Sequence, residues 1–206
     1  MIRDPKDLQR YTASQRANHW VTGICFILLS LSGLAFFHPA FYPLTQLFGG
    51  ATWARILHPY LGVILGVSFV MMFLRFWQLN LMNESDKEWL TRVGEMIDGN
   101  DHNMPEQGKY NAGQKIVFWG TAVCTLILVV SGIILWRSMF SFPVGLVRLA
   151  AVAHAAAAVF MIITIIVHIY AAIWTRGTIR AMWYGTVTRA WAKQHHRAWY
   201  RQVTGK

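Results

Sequence analysis

The sequence predicts an all-α integral membrane protein, a bundle of four membrane-crossing helices with both termini on the same, inner side. Three observations carry that class. Four apolar runs of about 20 residues account for most of a composition that is 55% hydrophobic, and ~20 apolar residues at 1.5 Å each span a bilayer's hydrocarbon core. A soluble chain of 206 residues would need four central helices with almost no polar face, which a domain of that size does not support. Finally, Lys and Arg cluster before the first run, after the second, before the third and after the fourth. Only Arg55, Arg137 and Arg148 lie in the other two connections, so sixteen of the nineteen basic residues fall on one side. That is the positive-inside bias, and it places the N- and C-termini in the cytoplasm. The same placement assigns the net charge of +10 to an anionic lipid surface and not to nucleic acid.

Residues 1–18 are polar and basic, with Arg3, Lys6, Arg10 and Arg16, and read as an inside tail held at the anionic leaflet. They make a poor signal peptide, so the first run is expected to stay in the membrane. That run spans about 19–37, with His19 at its inner end beside Trp20, and Ser30, Ser32 and Gly33 as a small-residue face. The outer connection, about 38–52, holds Pro39, Pro43, Gly49 and Gly50 as turn residues, and His38 is expected to be an exposed loop residue.

The second span, about 59–78, follows R-I-L-H-P-Y-L-G, which puts His58 at its outer end and Pro59 in or just inside the first turn. Gly62 and Gly66 form G-x-x-x-G, which serves close helix packing or leaves bare backbone for a flat cofactor. The inside connection, 79–115, holds seven of the nine acidic residues. Ser85-Asp86-Lys87-Glu88 reads as a capping box. Trp89, Leu90, Val93, Met96 and Ile97 then form one face of an interfacial helix that Gly99 ends. The third span, about 116–136, carries no histidine but repeats the Ser-Gly pair at Ser131-Gly132.

The fourth span, about 149–175, has no Lys, Arg, Asp or Glu, yet it holds His154 and His168. Fourteen residues apart, they share a face to within about 40° and stand ~21 Å apart along the axis. The tail, 176–206, is basic, with Trp183, Trp191 and Trp199 at eight-residue intervals. It reads as an interfacial helix on which His195-His196 is a solvated pair. Cys25 and Cys124 lie deep in apolar runs and read as small buried hydrophobes; no C-x-x-C-H is present.

The alternating direction of the helices sorts four histidines by depth. His58 and His154 lie near the outside, His19 and His168 near the inside. A single membrane histidine is often a helix-packing hydrogen bonder, but two depth-matched pairs need a common reason. Zinc takes three or four protein donors, and copper usually adds sulfur; neither pair offers them. Two imidazoles per site, among Ala155–Ala158 and several glycines, suit two haem b groups with both axial positions filled, and hence electron transfer.

R-A-N-H-W around His19, C-F-I-L-L-S-L-S-G, R-I-L-H-P around His58, G-K-Y-N-A-G-Q-K, S-G-I-I-L-W-R, the spacing of His154 and His168, and W-A-K-Q-H-H-R-A-W-Y-R carry a resemblance. Over nearly its whole length the chain resembles the cytochrome b (gamma) subunit of bacterial membrane-bound respiratory formate dehydrogenase, departing in a shorter C-terminal end and a different N-terminal leader. The resemblance implies a place in the bacterial inner membrane beside two partners, an iron–sulfur (beta) subunit and a catalytic (alpha) subunit with a molybdenum or tungsten pterin, in a higher oligomer of the heterotrimer. It implies electrons entering at the His58/His154 haem, passing to the His19/His168 haem and reducing menaquinone or ubiquinone on the cytoplasmic side. Formate oxidation itself belongs to the other subunit. The quinone pocket would map onto Asn111, Gly113 and Gln114, with His168 nearby. Asn111 and Gln114 read equally well as the N-cap of the third helix. A dihaem cytochrome serving another dehydrogenase, such as a nickel–iron hydrogenase, or a haem-free anchor, are the alternatives.

Overall fold

The computed structural model describes residues 6–98 and 104–205. Arg3 of the N-terminal tail and Gly99, the expected helix stop, lie outside them. Four helices are long and apolar enough to cross a membrane: α1 (Ala13–Phe37), α2 (Ala51–Phe76, extended by a 3-10 turn at Trp77–Asn80), α5 (Ala112–Leu135) and α6 (Val144–Trp174). Between α2 and α5 come α3 (Glu84–Thr91) and α4 (Val93–Ile97). After α6 come α7 (Thr178–Tyr184), α8 (Arg189–His195) and α9 (Arg197–Thr204).

Each long helix starts before its apolar run, because capping residues and not hydropathy set the first turn. Thr12 and Gln15 bond reciprocally, Gln15 N–H to Thr12 Oγ1 and Thr12 N–H to Gln15 Oε1, so α1 opens at Ala13. Gly49 and Gly50, at φ +85° and +101°, end the 3-10 helix Pro39–Phe48 and release α2 at Ala51. Pro59 therefore sits inside α2, where its missing N–H leaves the carbonyl of Arg55 without its helical partner. His38 is exposed, as expected, and caps the 3-10 helix by accepting from Ala40 N–H.

The chain divides into two compact units. One comprises Ala17–Leu74 and Gly120–Val167 and holds most of the four long helices. Its core packs Cys25, Leu65 and Phe69 against Leu29, Leu61 and Ala122, joining α1, α2 and α5. Gly66 faces Val129 of α5, which an added Cβ would meet at 3.3 Å, whereas Gly62 has nothing within 4 Å. The G-x-x-x-G pair thus serves helix packing through one glycine. Ile24, Val67, Leu126, Val152 and Ile163 point outward, more than half exposed in most cases, as apolar side chains that face lipid do. This is a multi-pass membrane protein.

The other unit comprises the described parts of Met1–Arg16, Arg75–Trp119 and His168–Lys206. Here a two-residue strand, β1 (Leu8–Gln9), pairs antiparallel with β2 (Thr186–Val187). Gly185 caps α7 at φ +80° and its carbonyl accepts from Arg10 and Tyr11 N–H. The N-terminal tail is therefore built into the fold. Arg10 is buried, its guanidinium 4.9 Å from the ring centroid of Trp191 and 5.0 Å from that of Trp199, and it donates to the Lys109 carbonyl. Arg180 pairs with Asp7.

Three expectations for this unit need correction. The capping box closes on Asn83 and Asp86, not on Ser85 and Glu88: an Asn at N-cap accepts as well as a Ser, and the Asp86 carboxylate reaches back to the Asn83 N–H at 2.8 Å. The apolar face is split. Trp89 is buried, Leu90 is exposed, and the chain breaks at Arg92; the side chains of Met96 and Ile97 lie outside what is described. In the tail, Trp183 is exposed while Trp191 and Trp199 are buried, and His196 is 2% exposed, not solvated. The reason is Arg10. His196 ends α8, donates Nδ1–H to the Gly108 carbonyl at 2.7 Å and turns Nε2 to the Arg10 guanidinium at 3.3 Å.

Burial, with the facing Arg10 charge, pushes the His196 imidazole down to about 3. Its ordinary value is 6.5, so between pH 6.5 and 3 the released tail binds a proton that the docked tail excludes. Docking is then fully present above pH 6.5 and weakens on acidification, by up to about tenfold per pH unit. The hydrogen-exchange protection factors of residues 189–204, taken relative to the intrinsic rate at each pH, are expected to fall accordingly from pH 7 to pH 4.5, and His196→Asn to flatten the dependence.

Candidate functional site

Of the four predicted histidines, the structure brings two together within one unit. His58, two turns into α2, and His154, three turns into α6, have ring centroids 6.2 Å apart with planes at 59°. Each ring is backed by a helix other than its own. Ser32 Oγ of α1 lies 2.7 Å from His58 Nδ1, and Ser131 Oγ of α5 lies 2.9 Å from His154 Nδ1. The glycine after each serine is the cradle. A Cβ on Gly33 would come within 3.4 Å of His58 Cε1, and one on Gly132 within 3.5 Å of His154 Cε1.

This geometry fits one particular kind of guest. Two imidazoles on either side of one metal, each bonded at about 2 Å, hold their ring centroids about 6 Å apart. Among the described residues no three of His, Cys, Asp and Glu gather as a metal cluster, so a metal here takes only two protein donors. Two facing imidazoles are a donor set that fits a haem iron.

His19 and His168 fall in different units. His19 lies on the second turn of α1, its ring 5.8 Å from Trp20 in a T-shaped contact. Its neighbour Asn18 is buried and ties α1 to α2, Nδ2 donating to the Ser68 carbonyl at 2.8 Å and Oγ at 2.7 Å. Thr22 closes the network, 2.7 Å from Ser68 Oγ. His168 lies on the same continuous α6 as His154.

Asn111, Gly113 and Gln114 lie together at the start of α5. Gln114 N–H donates to Asn111 Oδ1 at 2.9 Å and Asn111 N–H to Gln114 Oε1 at 3.1 Å, a reciprocal cap. Both side-chain oxygens are thereby used, which turns the two amide NH2 groups away from the cap. Trp89 of α3 packs on Gly113, where a Cβ would meet it at 3.2 Å. One residue on, Lys115 and Asp86, both buried, pair at 2.6 Å, fastening α3 to α5.

Sequence reasoning noticed the Ser-Gly pairs but not their part in the site. The available signal was their repetition: Ser-Gly on the first helix of a hairpin and His on the second, at 32/58 and again at 131/154.

The chain is similar to known proteins over most of its length. Residues 10–185 match the family model of prokaryotic cytochrome b561. The chain is 47% identical over 196 residues, 94% of its own length and 92% of the relative's, to the formate dehydrogenase cytochrome b556(fdo) subunit of Escherichia coli strain K12. It is 44% identical to the cytochrome b556(Fdn) subunit of the nitrate-inducible formate dehydrogenase of the same strain, over 91% and 88% of the two chains. To the formate dehydrogenase cytochrome b556 subunit of Haemophilus influenzae it is 40% identical, over 94% and 82%.

The cap makes a prediction of its own. Asn111→Ala is expected to cost about 1 kcal/mol at the start of α5, read as faster hydrogen exchange over residues 112–116. Asn111→Asp, which keeps the acceptor, should exchange like the parent.

Proposed function

The chain belongs to the prokaryotic cytochrome b561 family, and from that membership we propose that it is the haem b membrane subunit of a formate dehydrogenase, taking electrons from an iron–sulfur subunit and delivering them to a quinone. The observation that carries this reading is the His58–His154 pair, with centroids 6.2 Å apart and both Nδ1 atoms already bonded. Haem b, when bound, supplies a one-electron carrier. His58 and His154 would hold one haem iron. His19 and His168 hold a second, an assignment supported by their places on α1 and α6, toward the ends from which the basic segments leave. Two histidines held on each haem would suit electron transfer and not oxygen binding.

The remaining assignments follow from charge and chemistry. The basic tails 1–18 and 176–206, with Lys87, Arg92, Lys109 and Lys115 in the otherwise acidic connection 79–115, support both termini on the cytoplasmic side of a bacterial inner membrane. The His58/His154 pair then faces the opposite side, where the iron–sulfur subunit and a molybdenum or tungsten pterin subunit dock. Asn111, Gly113 and Gln114 line the quinone pocket. The cap consumes the oxygens of Asn111 and Gln114 and leaves their amide N–H groups to donate to a quinone carbonyl. Reduction of menaquinone or ubiquinone takes up two protons, drawn here from the cytoplasm. Formate oxidised across the membrane releases protons there. Inward electron flow thus charges the membrane without a pump.

The first test is a haem b count with reduced-minus-oxidised spectra on the purified complex. Two low-spin haems per chain are expected, with His58→Ala and His154→Ala each losing the same one and His168→Ala losing the other together with quinone reduction. No haem in protein made with ample haem supply would sink the electron-transfer reading and leave an anchor. Co-purification of a nickel–iron subunit in place of a pterin subunit would move the chain to another dehydrogenase. For the quinone, Asn111→Asp separates the two roles of that residue: it preserves the cap and removes the donor, so quinol formation is expected to slow about tenfold or more with both haems and the helix start unchanged. Unaltered kinetics would remove Asn111 from the pocket.

A further inference from the structure

Two serines on two different helices make the same unusual pair of contacts. A hydroxyl has one proton to donate. Ser32 Oγ–H has the carbonyls of Leu28 and Leu29 at 2.9 and 3.2 Å, one turn back in α1. Ser131 Oγ–H has those of Ile127 and Leu128 at 2.5 and 3.3 Å in α5. With the proton spent on its own helix, each hydroxyl oxygen meets the imidazole across from it only as an acceptor. Nδ1 of His58, at 2.7 Å, and Nδ1 of His154, at 2.9 Å, therefore carry the ring protons, His154 having the Leu128 carbonyl as a further acceptor, and both Nε2 atoms keep their lone pairs.

We propose that Ser32 and Ser131 are a matched pair of positioning residues that fix the tautomer of His58 and His154, aim both Nε2 lone pairs at one iron and lower the reduction potential of that haem. The proposal rests on the reading that this pair ligates haem. An acceptor on Nδ1–H strengthens a histidine as a donor through its other nitrogen, which favours ferric over ferrous iron. A carboxylate would do this more strongly, but an ionised group is costly within a span. A back-bonded serine is the neutral acceptor an apolar helix can carry, since its proton already has a partner.

The bland account is that serines in membrane helices routinely back-bond to their own carbonyls. That account explains the bonds to Leu28 and Ile127. It leaves unexplained why each of the two oxygens also stands within 3 Å of an Nδ1. It is equally silent on why each serine is followed by a glycine whose missing Cβ admits the ring.

The test uses the intact complex carrying Ser32→Ala, Ser131→Ala or both, with Ser→Thr at each site as the conservative control. Haem content and the reduction potential of each haem are read by spectroelectrochemistry, independently of formate or quinone turnover. Each alanine variant is expected to keep two haems and to raise the reduced-to-oxidised ratio of one of them about three- to tenfold at a fixed potential. The affected haem is the one lost in His58→Ala. The other haem should hold its value, and threonine should restore the parent potential. If alanine at either position expels the haem, threonine must retain both haem and potential; failure there overturns the proposal. Unmoved potentials in the double alanine variant also overturn it, while leaving the haem reading intact. A complex with no haem that responds to His58→Ala sinks the underlying reading instead.

Discussion

Inside a bilayer a polar group has no water to fall back on, and the site depends on how this chain meets that constraint. The hydroxyls of Thr22, Ser32, Ser131 and Thr164 each donate to a carbonyl one turn back in their own helix. That bond costs the helix little and leaves the oxygen's lone pairs pointing sideways. Where a second helix needs an acceptor, the same oxygen supplies it: to His58 from Ser32 and to His154 from Ser131. Asn18 meets Ser68 by a related route, an amide donating to both the hydroxyl and its backbone carbonyl. The helices are thus joined at a few polar points, set among glycines and small residues that let the backbones approach.

The other unit meets the opposite problem, too much positive charge. Lys109 and Arg10 come together with no carboxylate between them, and burial with the neighbouring Arg10 charge lowers the Lys109 ammonium's pKa. Aromatic faces take the place of anions. Arg10 is stacked among Trp191, Trp199, Tyr11 and Tyr110, and Lys109 lies over Tyr11 at 5.1 Å. Guanidinium over indole is a favourable contact when desolvated, and the neutral His196 ring and the Lys109 carbonyl are acceptors that add no charge. Two cations that are buried do have a carboxylate, Asp86 for Lys115 and Asp7 for Arg180.

Those two regimes explain what could be read in advance. In the long helices the sequence and the bilayer pose the same question, so the apolar runs, the charge bias and the rarity of histidine were legible, as was the pairing of His58 with His154 by depth. Among helix starts, the cap of α5 at Asn111 and Gln114 was legible, whereas those at Thr12 and Gly50 were not, because local caps outside the apolar pattern set them. The basic tail misled most. Trp191, Trp199 and His196 look like an interfacial face when taken alone. Their burial comes from Arg10, some 180 residues earlier, and no local pattern carries a contact of that separation.

The choice of serine at the His58–His154 pair has a consequence for electron transfer that a stronger acceptor would lose. Adding one electron to a site in a low-dielectric interior changes its charge by a full unit, and the surroundings respond in proportion to how freely their dipoles turn. A carboxylate would bind the ring proton tightly and invite its migration each time the charge changed. A free hydroxyl would rotate. Here each hydroxyl is pinned by the carbonyl of Leu28 or Ile127, and each ring is held against a glycine backbone. The dipoles are set before the charge arrives, which is the arrangement that costs least to reorganise. The back-bond that satisfies an apolar helix is thus also what holds the imidazole's environment still, so that, with haem at this pair as proposed, one short motif, Ser-Gly, would serve folding and electron transfer with the same atoms.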